Sequence, residues 1–178
     1  MTKQFLMLVC TLAAACSSTN LPRALPATAA ATSCGGGVAQ NDVELRRYAG
    51  CSEIDGDLLV RGVTSLEPLA ALEHIAGHLR VEHTERLYSL AGLERLRSVR
   101  ELTLAYNGGL ISGGALSGLT HAEHVRISDN PRLTRNYGLM RGLEQSRARL
   151  DLSHNLGLSA EGVAEFRSSE STTTLAAR

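Results

Sequence analysis

Two histidines three residues apart, His121 and His124, are the pattern in this chain that comes nearest to a metal site. On a helix they would share one face and could bind a metal ion together. The surrounding residues instead predict a turn that leads into a strand at His124, so the two rings would diverge. A zinc site would also need two further ligands. We therefore expect solvated histidines and no metal.

A catalytic arrangement can be assembled only from Asp129 and His154, with Ser128 or Ser153 as the nucleophile. Such a hydrolase needs all three groups to converge, whereas side chains alternate across a strand and would send Ser153 and His154 to opposite sides. The chain has no Gly-x-Ser-x-Gly turn, no zinc-protease helix motif and no phosphate-binding glycine loop. The glycines 35–37 lack the necessary spacing, and we interpret them as a loop. The sequence thus predicts no enzyme and no cofactor.

The four cysteines fall into separate classes by position. Cys10 lies in an apolar run near the amino terminus, and Cys16 follows small residues. Cys34 and Cys51 remain as an even pair, for which a disulfide is the default expectation in an exported chain. Closing that loop would stabilise the fold by about 3 kcal/mol.

An export signal is expected over residues 1–16. Lys3 precedes an apolar run, and three alanines follow it. The segment Leu12-Ala13-Ala14-Ala15-Cys16 resembles a bacterial lipobox, although Ala13 stands where that pattern prefers Leu. The resemblance implies a lipoprotein whose Cys16 carries fatty acyl chains such as palmitate, held on the membrane of the cell envelope. Secretion after simple cleavage and a retained membrane segment are the alternatives. Residues 17–33 are expected to be a disordered tether.

The charge and composition of the chain exclude further classes of partner and fold. The chain has 178 residues, with 18 Lys and Arg against 18 Asp and Glu, so its formal charge at pH 7 is zero. Nucleic-acid-binding domains usually carry a basic excess, so no nucleic-acid partner is expected. Only 3% of the residues are aromatic and Trp is absent, which predicts an aliphatic core in a single domain.

A repeat of 21 to 25 residues is the most specific pattern in the chain. In each repeat two aliphatic residues flank a third, so both face one side of a short strand. We predict five stacked parallel strands. Their central segments are Leu58-Leu59-Val60, Leu79-Arg80-Val81, Leu102-Thr103-Leu104, Val125-Arg126-Ile127 and Leu150-Asp151-Leu152.

Further aliphatic residues recur every three positions between these segments, from Leu66 to Ile75 and from Leu87 to Val99. This spacing also fits an amphipathic helix, which makes a helical bundle the competing fold. Repeated glycines such as Gly77, Gly92 and Gly118 disfavour helices by about 1 kcal/mol each relative to Ala. We therefore expect the return path of a repeat to fill the interior.

Asparagine recurs at one place in the repeat. Asn107, Asn130 and Asn155 each stand three residues after the second aliphatic residue of their strand. An inward amide can satisfy both N–H and C=O groups where the chain leaves a strand. We predict a structural Asn ladder, with Thr84 and then Val63 at the equivalent earlier positions.

The pattern Leu-x-Leu-x-x-Asn resembles a leucine-rich repeat, and residues 51–60 resemble the opening of a receptor L domain. The phrase Ile75-Ala76-Gly77-His78-Leu79 repeats that opening. The resemblance implies a repeat solenoid similar to a right-handed parallel β-helix, with about five rungs and short helical caps, over about residues 34–166. It also implies that a disulfide ties an initial helix, here Asn41 to Tyr48, to Cys51, with Cys34 as the other half. We expect a far cap at residues 159–166 and a disordered tail at 167–178.

The outward residues of the stacked strands would form one continuous polar surface of mixed charge. These charges could simply pair with one another in solvent, or the surface could bind a partner. The residues of this predicted binding face are His78, Arg80, Glu101, Thr103, His124, Arg126, Arg149 and Asp151. We expect a monomeric, surface-anchored binding module for a protein or a glycan; a structural envelope lipoprotein without a specific ligand and a hydrolase are the alternatives.

Overall fold

The computed structural model of the chain describes residues 31–134, 141 and 148–158. In this part of the chain, six strands form one sheet, all neighbouring strands are parallel, and the strand order follows the sequence. The strands are β1 (Ser33–Ala39), β2 (Glu53–Arg61), β3 (His74–Glu82), β4 (Ser98–Ala105), β5 (His124–Ser128) and β6 (Arg149–Asp151). The helices are short: α1 (Asp42–Leu45) and the 3₁₀ helices Arg46–Tyr48, Glu67–Leu69 and Gly114–Gly118.

The five predicted strand segments pair side by side, as expected. Leu58 is in register with Leu79, Leu79 with Leu102, Leu102 with Val125, and Val125 with Leu150. All five side chains are buried. The alternation of each segment therefore places one aliphatic column against the core, where removal of apolar surface from water stabilises the fold.

The leucines at three-residue intervals fill the interior opposite the sheet. Those between β2 and β3 and those between β3 and β4 are all buried: Leu66, Leu69, Leu72, Leu87, Leu90, Leu93 and Leu96. The described segments that carry them hold at most one 3₁₀ turn, so the helical-bundle alternative is excluded there. Gly92 has φ +108°, and a Cβ at this position would collide with the carbonyl of Leu66. Glycine is therefore required where these two segments pack closely.

The loop interpretation of the glycines 35–37 is wrong, because they lie within β1. This strand adds a sixth member at the amino-terminal edge of the sheet and begins at Ser33. A Cβ on Gly36 would collide with the backbone of Asp57. Glycine has little intrinsic preference for strands, so the local sequence does not predict β1. The glycines are required because the backbones of β1 and β2 approach closely.

The predicted helix at Asn41 to Tyr48 is confirmed as α1 followed by a 3₁₀ turn. The Asn41 side chain accepts a hydrogen bond from the N–H of Glu44 at 2.9 Å, and the Glu44 carboxylate accepts one from the N–H of Gln40 at 2.9 Å. This reciprocal capping begins the helix. The chain turns away at Gly50, which has φ +83°.

The cysteine pair also lies where the sequence placed it. Cys34 on β1 and Cys51, just before β2, are at disulfide-bonding distance, with their Cα atoms 5.9 Å apart. The bond links the first strand of the sheet to the segment that follows the capping helix. It thereby closes the amino-terminal edge of the core.

Candidate functional site

The outward residues of β3 to β6 form the surface that we call the sheet face. It contains two register rows with the eight residues predicted from the sequence. The first row is His78, Glu101, His124 and Arg149; the second row is Arg80, Thr103, Arg126 and Asp151. Neighbouring strands are about 4.8 Å apart, so the members of each row are side by side. The structure thus brings all eight residues onto one surface.

A third register row was not predicted from the sequence and contains a buried carboxylate. Arg61, Glu82, Ala105 and Ser128 pair in this row, from β2 to β5. Glu82 is only 5% exposed. Arg61 donates two hydrogen bonds to Glu82 Oε1, one of them at 2.9 Å, and Arg80 Nη2 lies 3.5 Å from Glu82 Oε2. Arg61 on the neighbouring strand and Arg80 on the same strand compensate for the burial of this charge.

Other charges on the sheet face pair across neighbouring strands. Arg126 Nε lies 3.3 Å from Asp151 Oδ2, and His78 Nδ1 lies 3.7 Å from Glu101 Oε2. The mutual pairing considered from the sequence is therefore present in part, although Arg80 contacts Glu82 and not Glu101. These pairs are partly exposed, and such pairs contribute at most about 1 kcal/mol each to stability. A charged ligand can therefore compete with these weak pairs for the same side chains.

Two residues with hydroxyl side chains on this surface are largely buried. Thr103 is 7% exposed and Ser128 is 8% exposed, and the alternation along their strands places both on the outward side. Arg80 and Arg126 are in register on either side of Thr103. Among the described residues, no buried side-chain nitrogen or oxygen atom lacks a hydrogen-bond partner.

A left-handed residue follows β3, β4 and β5 and recurs after β6. His83, Tyr106, Asp129 and His154 have φ values of 54° to 56°. The N–H of each of the first three donates, at 3.2 Å, to a carbonyl at the end of the next strand or just after it; the acceptors are on Ala105, Ser128 and Ser153. This conformation is uncommon for residues other than glycine. It allows one more hydrogen bond between neighbouring strands before the chain turns inward. Sequence reasoning missed it; the available signal was the position directly before Asn or Thr84 in each repeat.

The side chains of these four residues contact one another in pairs at the edge of the sheet face. The rings of His83 and Tyr106 are stacked, with centroids 5.1 Å apart and planes 7° from parallel. His154 Nδ1 lies 3.6 Å from Asp129 Oδ1. The structure therefore brings together the Asp and His that the sequence considered for catalysis, on an exposed edge.

The asparagines form a hydrogen-bonded ladder inside the turns. Asn130 is fully buried; its Oδ1 accepts from the N–H of Asn107 at 3.1 Å, and its Nδ2 donates to the carbonyls of Leu104 at 2.9 Å and Ser128 at 2.8 Å. Asn107 and Asn155 repeat this pattern on their own preceding turns. The amide groups thus satisfy backbone N–H and C=O groups that have left the strand ladder. Their role is structural, since they lie in the interior of the turns.

The ladder ends at Thr84. Its N–H and its hydroxyl both donate to Asn107 Oδ1, at 3.2 and 2.6 Å. At the equivalent place after β2 stands Val63, which is buried and offers no polar side chain. The turn after β2 is held differently: Asp42, on α1, accepts hydrogen bonds from the N–H and hydroxyl of Thr64, both at 2.8 Å. The bond from the Thr64 N–H is the main cause that lowers the pKa of Asp42 below its ordinary value of 3.8.

Among the described residues, no group of three or more His, Cys, Asp or Glu side chains is arranged to hold a metal ion. His121 and His124 are both exposed and lie before and at the start of β5. No helix in this part of the chain combines the length and apolar character that crossing a bilayer requires.

Several predictions fall outside the described residues. They are the export signal at 1–16 with its lipidation candidate Cys16, nearly all of the tether at 17–33, the cap at 159–166 and the tail at 167–178. They remain predictions from the sequence.

No model of a known protein family matches the chain, and no curated protein matches its sequence. The geometry of the sheet face and the residues of the chain itself therefore carry the functional proposal.

Proposed function

We propose that this protein is a leucine-rich-repeat solenoid similar to a receptor L domain and serves as a surface-anchored, non-catalytic binding module. The sheet face would contact a protein or a glycan, and acylated Cys16 would hold the module on a membrane of the cell envelope. The observation that carries the proposal is the sheet face itself. It is a continuous polar surface of mixed charge, built from side chains in register on neighbouring strands, in which Arg80 and Arg126 are partly exposed.

The periodicity of the contacts supports the solenoid part of the proposal. The same hydrogen bond, from a backbone N–H to an Asn Oδ1 on the following turn, recurs at separations of 23, 23 and 25 residues. Aliphatic residues in register repeat at similar intervals. A parallel sheet built in chain order is the arrangement in which each repeat buries its neighbour and leaves one extended surface for binding.

The cysteines support the proposed location. Cys34 and Cys51 are at disulfide-bonding distance, and disulfides persist mainly in oxidising compartments outside the cytosol. Metabolic labelling with a fatty acid precursor, followed by mass spectrometry of the mature amino terminus, tests the anchor. We expect an acylated Cys16 as the first residue; an unmodified terminus elsewhere would contradict the lipid anchor and leave secretion.

Site-specific photo-crosslinking in the parent cells tests the binding role. A photoreactive residue in place of His124, which is exposed on the sheet face, should capture a reproducible partner. The same residue in place of Arg132, which is exposed and lies outside the strands, should not. Equal capture at both positions, or at neither, would contradict a binding role for this surface, and absence of any partner would favour a purely structural envelope protein.

Charge reversal gives the matched test of the same idea. The variant Arg126→Glu should lose capture at position 124 and keep its melting temperature to within a few degrees, because both partners of the pair that it breaks, Arg126 and Asp151, are partly exposed. The control Arg132→Glu makes the same change of charge at an exposed position outside the strands. It should leave capture unchanged.

A further inference from the structure

The left-handed residues at the edge of the sheet face have a fifth member, which carries no side chain. We call these residues the edge column; it consists of Gly62, His83, Tyr106, Asp129 and His154. Gly62 has φ +57° and follows β2 directly, so it stands beside His83, which follows β3. A Cβ on Gly62 would lie 2.9 Å from the carbonyl oxygen of Gln40, which favours glycine at this position. The side chains of the edge column therefore stop at His83 and leave the next place open.

An open cavity of about 340 Å³ lies at this place. Its lining comes from the turns that follow β2 and β3 and consists of Gly62, Val63, Thr64, His83, Glu85 and Arg86. Sites for small ligands have volumes from about 300 Å³ upward. The cavity therefore has room for a small ligand or for one part of a larger one.

The cavity lies where the ladder of side chains is interrupted. The later turns are joined to one another by side chains, beginning with the hydrogen bonds from Thr84 to Asn107. After β2, Val63 is apolar, and Thr64 bonds to Asp42, on α1. Within the described part of the chain, no side-chain hydrogen bond joins the turn after β2 to the turn after β3. The cavity occupies the space between these two turns.

One wall of the cavity is a flat aromatic ring. The imidazole of His83 stacks on the Tyr106 ring, with centroids 5.1 Å apart and planes 7° from parallel. Tyr106 and Gly62 are the two neighbours of His83 in the edge column, so the second face of the imidazole is turned toward the open place. Stacking on Tyr106 holds the ring in one orientation. The second face can therefore pack against a flat, weakly polar surface of a ligand.

Two charged side chains supply the polar groups of the cavity. Glu85 and Arg86 are exposed, and within the described chain neither side chain makes a hydrogen bond or an ion pair. A carboxylate only accepts hydrogen bonds and a guanidinium only donates them, whereas a hydroxyl does both. Ligand hydroxyls can thus bond to both side chains. A charged ligand would be repelled by one of the two, so the pair favours a neutral ligand.

We infer that this cavity binds one neutral pyranose unit of a glycan. The C–H face of the sugar ring packs on His83, and the sugar hydroxyls donate to Glu85 and accept from Arg86. An aromatic ring of a peptide could also stack on His83. It would displace water from the two charged side chains without replacing the lost hydrogen bonds, which costs free energy.

This inference rests on the proposed binding role and narrows it to a glycan. His83 directly follows β3, at the edge of the sheet face. A longer glycan can therefore lie along the sheet face while one of its units occupies the cavity.

A nuclear magnetic resonance titration of the full chain tests the inference. The probes are the methyl glycosides of glucose, galactose, mannose and N-acetylglucosamine. Two compounds serve for comparison: sorbitol has the hydroxyls without the ring, and phenol has a flat ring with one hydroxyl. We expect saturation transfer to the ring C–H protons of at least one glycoside, and binding at least about tenfold tighter than that of sorbitol or phenol.

Three results of this titration would overturn the assignment. If no glycoside binds, the cavity is not a sugar site. Equal or tighter binding of phenol would mean an aromatic ligand, and equal binding of sorbitol would mean that the ring of the sugar is not recognised.

Variants of His83 test the stacking. His83→Ala should weaken binding of the glycoside about tenfold, and His83→Phe, which restores a flat ring, should regain most of this loss. The control His154→Ala removes the same type of side chain, on the same left-handed backbone, from the far end of the edge column. It should leave binding unchanged. An equal loss in His83→Phe and His83→Ala, or in the control, would overturn stacking at this ring.

Variants of Arg86 test the polar contacts. Arg86→Ala should weaken binding severalfold, because charge-assisted hydrogen bonds to the sugar are lost. The control Arg132→Ala changes the equivalent place in a later turn: Arg132 stands two residues after Asn130, as Arg86 stands two residues after Thr84. Melting temperatures show that each variant is folded. Full affinity in Arg86→Ala, or an equal loss in the control, would overturn this contact.

Photo-crosslinking at position 124 separates this inference from the proposed function. A partner captured there, together with no binding of any glycoside, rejects the sugar cavity alone. Binding of a glycoside without capture at position 124 rejects the sheet face as the binding surface and retains the cavity.

Discussion

The turn near the amino-terminal edge of the sheet and the turns in its middle are held by different chemistry. After β2, the carboxylate of Asp42, on α1, binds Thr64, and the disulfide between Cys34 and Cys51 closes the adjacent edge. After β4 and β5, buried amides such as Asn130 bind backbone groups of neighbouring turns. The turn after β2 is thus stabilised by a charged side chain and a nearby covalent bond, and the turns after β4 and β5 by neutral side chains in the interior.

This difference follows from the positions of the turns, one near the edge of the sheet and the others in its middle. A turn in the middle has a neighbour on both sides, so an amide with a donor and an acceptor can bridge them. The turn after β2 lies beside the first strand, where the capping helix takes the place of the missing neighbour. Stability near the amino-terminal edge should therefore depend on redox state and pH, and stability of the ladder should depend on neither.

The largest expected effect is in the ladder. Asn130→Ala should lower the free energy of unfolding by about 3–5 kcal/mol, because it removes buried hydrogen bonds to the N–H of Asn107 and to the carbonyls of Leu104 and Ser128. Chemical denaturation followed by circular dichroism measures this loss. The matched variant Thr84→Val removes only the hydroxyl that ends the ladder and should cost about 1 kcal/mol. Equal losses in both variants would contradict a special role for the interior amides.

A smaller effect is expected at the disulfide. Replacing both Cys34 and Cys51 with Ser should cost about 3 kcal/mol in the chain-entropy model. Hydrogen exchange should accelerate first in β1 and α1, since this is the edge that the bond closes, while β4 and β5 keep their protection. Uniform acceleration over the sheet would mean that the amino-terminal edge and the middle strands unfold as one unit, and would remove the distinction between them.

The smallest effect is the pH dependence of the turn after β2. Because the folded pKa of Asp42 is lowered, its contribution is fully present above the ordinary value of 3.8 and is lost as the pH falls through the lower folded pKa. Asp42→Asn should therefore cost less than about 1 kcal/mol at pH 7, and the difference from the unmodified protein should shrink below about pH 3.8. Denaturation midpoints at pH 7 and pH 3 measure it. A difference that does not change with pH would show that the carboxylate charge is not involved.

The fold was largely predictable because its signals are local and repeated. Alternating aliphatic residues such as Leu102 and Leu104 predicted a strand, and the repeat predicted that Leu79 and Leu102 would be neighbours, as the register confirms. The capping signal at Asn41 likewise depends on adjacent residues and was confirmed. By contrast, β1 could not be predicted, because its glycines show no alternation of apolar and polar residues. The need for glycine there follows from the close approach of the Asp57 backbone to Gly36.

The candidate site was predictable only as a list of outward residues. Alternation and spacing placed Arg80, Thr103 and Arg126 in one row. They could not show that Arg80 contacts Glu82, two residues along its own strand, or that Thr103 is covered by its neighbours. These features depend on side-chain conformations and on distances between strands.

The sequence by itself determined which side chains face the core and which face outward, because the period of a strand is two and the repeat is regular. It also determined where the interior amides stand. The tertiary structure alone decided which charges pair, which polar side chains are buried and which residues adopt left-handed conformations. These features depend on the approach of segments that are more than twenty residues apart in the sequence. That approach depends on packing across the whole sheet, so no single segment determines it.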